Sequence, residues 1–299
     1  MTRKDSFSRK VFYIFNVVFL LLMAASILFP YLNVLAKAFN DGNDTARGGI
    51  VVWPRVFTLE NFATVLKDKA FYRAFLLSVC NVLVGTFNTL FVQFFAAYVF
   101  LNKRFIGYRF LEILFLIPMY FGGGLIPMYM LYAKTGLLNN WILYVLPGCF
   151  SFYNMVIIRS YLATIPPSLA ESARVDGAND LKIAIRIMLP LSKPVIATVA
   201  LWTAVGIWND WTTTLYYFTK RDMFTLQYVL MQVLKEAQKI QDMIREAAMY
   251  GETIEVQAKV TTESVQSAQL IITTLPIVCT YPFLQKYFIQ GMTLGAVKD

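Results

Sequence analysis

The chain has 299 residues, 58% of them hydrophobic and 15% charged, with a mean hydropathy of +0.55, whereas soluble domains run at about 45–50% apolar and about 25% charged. It has no histidine and three scattered cysteines, which excludes Ser-His-Asp, Cys-His and His-ligated metal chemistry and offers no zinc site or disulfide framework. The net charge of +9 fits the basic borders of membrane spans better than nucleic acid, because no basic run is interleaved with exposed aromatics.

About 20 consecutive apolar residues cross a hydrocarbon core of roughly 30 Å. Six such runs predict an all-α polytopic membrane protein, a single transmembrane domain over residues 1–299, with spans near 11–36, 74–101, 110–133, 141–162, 194–217 and 268–288. The first run is too long for a signal peptide and reads as an uncleaved span. The short basic segments "TRKDSFSRK" and "NKRFIGYR" belong on the cytoplasmic side, which puts both termini there as well. Cys80, Cys149 and Cys279 each lie in an apolar run and are expected to be small buried hydrophobes.

Before the second span, "FTLENFATVLKDKAFYRAF" (Phe57 to Phe75) predicts an amphipathic helix capped by Thr58, with Leu59, Phe62, Val65 and Leu66 on one stripe, lying along the outer surface. The third and fourth spans are interrupted by "IPMYFGGGLIPMY" and "LPGC". A proline frees a backbone carbonyl that must be satisfied inside the protein, so these sites mark close packing or the lining of a path.

Between the fourth and fifth spans, residues 165–193 are polar and broken by glycine. Ser168 with Glu171 predicts a capping box and a helix from Leu169. Gly177 predicts the close of that helix. Asn179 or Asp180 caps a second helix that runs to Leu189 and stops at Pro190. The span count puts this helix-turn-helix on the cytoplasmic face. In the fifth span stand Trp202, Trp208, Asn209 and Trp211, and spacing puts Trp208 and Trp211 on one face; Asp210 reads as interfacial. The outer loop 218–266 is too polar to cross, and "TLQYVLMQVLKEAQKIQDMIREAAM" predicts a helix suited to an external partner.

The pattern in residues 165–193 resembles the EAA loop of ABC importer permeases that work with a solute-binding protein. It stands as Glu171-Ser172-Ala173, Asp176-Gly177-Ala178 and Ile187-Met188-Leu189-Pro190-Leu191-Ser192-Lys193-Pro194, departing at Ser172, where the family usually has alanine. "FTLENF", "VGIWNDW" and the C-terminal "QKYFIQGMTLGAVKD" are similar to carbohydrate permeases of the maltose type, second subunit, in the branch for oligosaccharides and polysaccharides such as alginate.

The resemblance implies a type I importer fold and a heterodimer with a second permease. It implies two cytoplasmic ATPase subunits and a periplasmic or extracellular solute-binding protein. Glu171, Ser172, Ala173, Asp176, Gly177 and Ala178 would form the surface that couples to the ATPase. Trp202, Trp208, Trp211 and Asn209 would line the path of a sugar. ATP and Mg would be bound by that partner, since this chain carries no G-x-x-x-x-G-K-[ST]. It would carry no cofactor, no metal and no catalytic residue, and would not be an enzyme. It would lie in the bacterial inner membrane among lipid, with its last residues near the ATPase pair. The competing reading is a secondary transporter or channel not driven by ATP, which would want ionisable groups within the spans; a membrane-embedded enzyme would want convergent nucleophiles or carboxylates.

Overall fold

A computed structural model describes residues 7–249 and 262–296. Among them helices carry the architecture, joined by short loops, and the extended pairing consists of one bridge between Asn40 and Phe57. The chain divides into two compact units, Met1–Lys69 with Gln232–Thr274, and Ala70–Met231 with Leu275–Asp299.

The first unit is built on helix Phe7–Ala38, 32 residues long and therefore about 48 Å from end to end. Its side chains from Val11 to Phe29 are exposed on every side, the pattern of a helix whose solvent is lipid or another subunit. Its end is tied to the start of helix Thr262–Ala296 by the Lys37–Glu263 ion pair at 2.8 Å, and Tyr31 meets Thr274 at 3.4 Å. Beyond it, asparagines do the work of a missing sheet. Asn61 donates to the carbonyls of Ala38 and Asn40, and Asn33 to those of Ile50 and Val51.

The expected amphipathic helix is shorter than the sequence implies, Glu60–Lys67. The Thr58 hydroxyl does accept from the Glu60 N–H at 3.2 Å. Asp68 is extended, and the second span begins at once with Lys69. Of the expected stripe Val65 is buried, whereas Leu59 and Leu66 are exposed, because Asn61 takes the inward position to satisfy the carbonyls ahead of it.

In the second unit, helix Lys69–Val99 is unbroken. The next three apolar runs are not. The third is helix Tyr108–Tyr120 and helix Leu125–Lys134, bent by 117° at a break that Gly124, with φ +83°, allows. The fourth is helix Ile142–Val145 and helix Phe152–Leu162. The break is satisfied from the second span: Asn88 donates to the Val145 carbonyl at 3.2 Å, and the Thr89 hydroxyl points at that of Gly148 at 3.5 Å. The fifth is helix Lys193–Trp208 and helix Thr212–Tyr217. Two unbroken helices, Ser8–Ala38 and Lys69–Val99, are long and apolar enough to cross a membrane. Counting each bent pair, Tyr108–Lys134 and Asp180–Trp208, as one span brings the number to at most four among the described residues. The sixth expected run lies in the 35-residue helix Thr262–Ala296.

The core gathers Phe94, Ala97, Phe152, Met155, Ile158, Leu162, Ile183 and Val199. Gly85 lets the second and fifth spans touch: a Cβ there would stand 2.8 Å from Ile207 Cδ1. Cys80 and Cys279 are exposed rather than buried, and Cys149 is half-buried. Cys80 and Cys279 thus lie on outward faces of their apolar helices and not in the core.

Candidate functional site

The segment 165–193 is a rigid helix-turn-helix. Its first helix is Pro167–Val175 and starts two residues before the expected place. Pro167 presets the helical φ at the first position, and its missing N–H would have been an orphan there anyway. Ser168 is therefore inside the helix and the capping box with Glu171 does not form. The other end closes as predicted. Gly177 sits at φ +79°, its N–H bonds to Arg174 and that of Ala178 to Ala173, the two bonds of a Schellman cap. The Asn179 carboxamide accepts from the Lys182 N–H at 2.9 Å and starts the second helix. Arg174 reaches over the turn to Asp180 at 3.1 Å, in water, where such a pair is worth little.

Pro190 does not stop the second helix. Residues Ala184–Met188 widen into a π turn, in which the Leu189 N–H bonds back to Ala184, and helix Leu189–Leu191 contains the proline. The wider turn makes room for the ring that would clash with the carbonyl four residues back. A 79° bend at the buried Ser192 then leads straight into helix Lys193–Trp208.

The helical period sorts the six predicted coupling residues into two sets. Glu171, Ser172, Asp176 and Gly177 are exposed. Ala173 and Ala178 turn the other way and, with Ala170, pack on the core around Ile158, Leu162 and Ile183. They anchor the knob instead of tipping it. Beside the outward set stand apolar side chains that the sequence reading missed, Val175 at 88% exposure and Leu181 at 58%. Their signal was present: a valine and a leucine in a segment otherwise rich in charged and small residues.

The four predicted substrate residues do not converge. Trp202 packs on the core and donates from Nε1 to Asn154 at 3.2 Å. Trp208 is 6% exposed, edge-on to Phe75, and walls an apolar cavity of about 230 Å³ with Val79, Leu83 and Pro276. Asn209 is exposed and accepts from Gln227 at 3.1 Å. Trp211 precedes the next helix. The helix ends at Trp208 and restarts at Thr212, so the shared face expected for Trp208 and Trp211 is lost.

What the breaks do bring together is a different group. Tyr132, Tyr144, Asp210, Thr213 and Tyr217 line a cavity of about 270 Å³ floored by Gly148 and Gly206. A charged pair also lies between the third and fourth spans, Glu112 with Arg159 at 2.9 Å. The Tyr108 hydroxyl bonds both members, accepting from Arg159 at 2.7 Å and donating to Glu112 at 2.9 Å.

Residues 90–294 match the family described as binding-protein-dependent transport system inner membrane component. Protein LplC of Bacillus subtilis (strain 168) is 35% identical over 297 residues, 99% of this chain and 98% of the relative. The polygalacturonan/rhamnogalacturonan transport system permease protein YtcP of the same organism is 31% identical over 280 residues, 94% of this chain and 96% of the relative. Among solved structures, a chain of a bacterial ABC transporter involved in the import of the acidic polysaccharide alginate is similar with a TM-score of 0.85. It is 26% identical, and the match covers 96% of this chain and 100% of that one.

Proposed function

The chain belongs to the binding-protein-dependent transport system inner membrane components, and on that premise we propose that it is the permease subunit of an ATP-driven importer moving an oligosaccharide or polysaccharide across the inner membrane. The saccharide is supported by relatives whose names specify polygalacturonan, rhamnogalacturonan and arabinooligosaccharides. The partners of this reading are a second permease, two ATPase subunits that bind ATP and Mg, and a solute-binding protein. The short basic segments put both termini and the loop 165–193 on the cytoplasmic side. Six spans remain the reading of the hydropathy, with the third, fourth and fifth each broken. The outer loop 218–266 would meet the binding protein; its helix Leu226–Met249 fits that role, while residues 250–261, like the last three of the chain, lie outside the described residues.

The observation that carries the coupling role is the two-sidedness of the knob. Glu171, Val175 and Asp176 point outward while Ala170, Ala173 and Ala178 clamp it to the core. The exposed valine and leucine supply apolar area for a cleft on the ATPase, and the acids supply pairing with its bases. Because the second helix of the knob runs through Ser192 into the fifth span, a push on Val175 reaches the bundle through packed elements with no flexible linker. That is the geometry needed to convert closure of the ATPase pair into a rearrangement of the spans.

The test is isolation of the assembled complex with Glu171→Arg and Val175→Asp. Both positions are exposed, so the permease is expected to insert and to keep its helical content while losing the co-isolated ATPase. Full ATPase retention in both variants would overturn the coupling role.

A further inference from the structure

The cavity between the breaks has the chemistry of a sugar site. Its volume of about 270 Å³ far exceeds the room one water needs and approaches the lower end of small-ligand pockets, roughly 300–1,000 Å³. Its walls are aromatic and braced. Tyr217 meets Tyr132 edge-on at 5.0 Å and stacks on Tyr129 at 6.2 Å, and Tyr144 stacks on Phe218 at 4.3 Å. A hydroxyl relay holds them before any ligand arrives. The Tyr144 hydroxyl donates to the Met223 carbonyl at 2.7 Å and shares a bond with Thr214 at 2.8 Å. Thr214 meets Thr225 at 2.9 Å, and Thr225 reaches the Asp210 carbonyl at 3.2 Å. Thr214 and Thr225 are buried.

The polar groups left over point to the ligand. Asp210 uses Oδ1 to cap helix Thr212–Tyr217, accepting from the Thr212 hydroxyl and the Thr213 N–H at 2.9 and 3.0 Å. Its Oδ2 and the hydroxyls of Tyr132 and Tyr217 have no hydrogen bond among the described residues, although Tyr132 is only 8% exposed. Aromatic faces with a few convergent acceptors and donors suit a ring with an apolar C–H face and a belt of hydroxyls. No lysine or arginine lines the cavity. A sugar hydroxyl donating to an ionised carboxylate makes a charge-assisted bond, whereas a uronate carboxylate there would meet Asp210 with nothing to offset the repulsion.

We propose that this cavity is a subsite for one uncharged sugar unit of the passing chain, and that Asp210 is its specificity-determining residue, accepting from a hydroxyl and excluding a carboxylated unit. A polymer that mixes acidic and neutral units would present a neutral one here. The inference rests on the saccharide-permease reading.

The experiment reconstitutes the whole transporter, with partner permease, ATPases and binding protein, and measures saccharide-stimulated ATP hydrolysis with neutral tetrasaccharides of glucose, galactose and arabinose and with tetragalacturonate. Asp210→Asn keeps an oxygen for the helix cap while removing the charge. It is expected to raise the response to tetragalacturonate relative to the best neutral probe by tenfold or more. Tyr132→Phe, which removes one hydroxyl and keeps the ring, is expected to raise the half-saturating concentration of the neutral probe several-fold at an unchanged maximal rate. An unchanged ratio in Asp210→Asn with unchanged half-saturation in Tyr132→Phe overturns the subsite and leaves the permease reading standing. A wild-type complex that answers to no saccharide overturns both.

Discussion

Arg159 and Glu112 meet at 2.9 Å between helix Phe152–Leu162 and helix Tyr108–Tyr120, and the Tyr108 hydroxyl closes the group, accepting from Arg159 at 2.7 Å and donating to Glu112 at 2.9 Å. The helix that follows the basic connection "NKRFIGYR" and the helix just ahead of the knob are thereby locked together by three mutually satisfied polar groups. Arg159→Ala leaves a half-buried carboxylate with one donor and is expected to cost about 2 kcal/mol. Pairing it with Glu112→Gln should cost less than the sum of the two single changes, because the second removes the charge the first abandons. Thermal unfolding of the detergent-solubilised protein measures both; strict additivity would mean the two groups act independently.

Gly177 is the point where chemistry and backbone separate cleanly. At φ +79° with nothing within 4 Å of where a Cβ would stand, alanine meets no clash but pays the left-handed penalty of about 1–2 kcal/mol. Asparagine tolerates that conformation. Gly177→Ala is therefore expected to lower transported sugar per ATP hydrolysed, with Gly177→Asn recovering most of it. Equal loss in both would show that the side chain, and not the turn, is at fault.

That turn was readable from residue types alone, as were the Asn179 cap and the places of the apolar runs, because each is a local preference of a few consecutive residues. What composition hid were the consequences of tertiary satisfaction. The breaks at Gly124 and Pro147 were visible as interruptions, but the depth of the one at Pro147 was set by Asn88 and Thr89 on another span, which accommodate the loss of helix by bonding the freed carbonyls. The capping box failed because Pro167 outcompeted Ser168 for the helix start. Trp208 and Trp211 were judged by unbroken helical spacing, and Asp210 between them broke the helix by capping the next one. The cavity tyrosines, from three separate spans, carry no shared sequence signal at all.

The contact of the second and fifth spans at Gly85 gives a packing test. A methyl there would press the end of Ile207, which stands 2.8 Å away and can swing aside, so Gly85→Ala should be mild. Gly85→Leu forces the helices apart and is expected to cost about 1–3 kcal/mol. Adding Ile207→Ala removes the obstructing atoms and should restore much of the loss. A double variant as unstable as Gly85→Leu alone, by thermal unfolding in detergent, would place the strain elsewhere.

Outside the membrane, Asp44 gives a pH dependence of known sign. The Asn40 amide, donating at 2.9 Å, and then Arg55 at 2.9 Å hold its carboxyl below the ordinary aspartate value, against the opposing pull of desolvation. A carboxyl depressed on folding contributes stability that is present above its unfolded value, about 3.9, and is lost as pH falls through the lower folded one. The turn that Asn40, Asp41 and Arg55 build over residues 39–57 is therefore expected to hold at neutral pH and to open to protease in acid. Asn40→Ala removes the largest stabilising partner and raises the folded value toward the unfolded one, so the acid opening should begin at higher pH. Limited proteolysis of the detergent-solubilised protein, stepped from about pH 5 to about pH 2, follows the transition. The same midpoint in wild type and Asn40→Ala would remove Asp44 as its origin, since nothing else in the turn combines a depressed carboxyl with a donor that the substitution deletes.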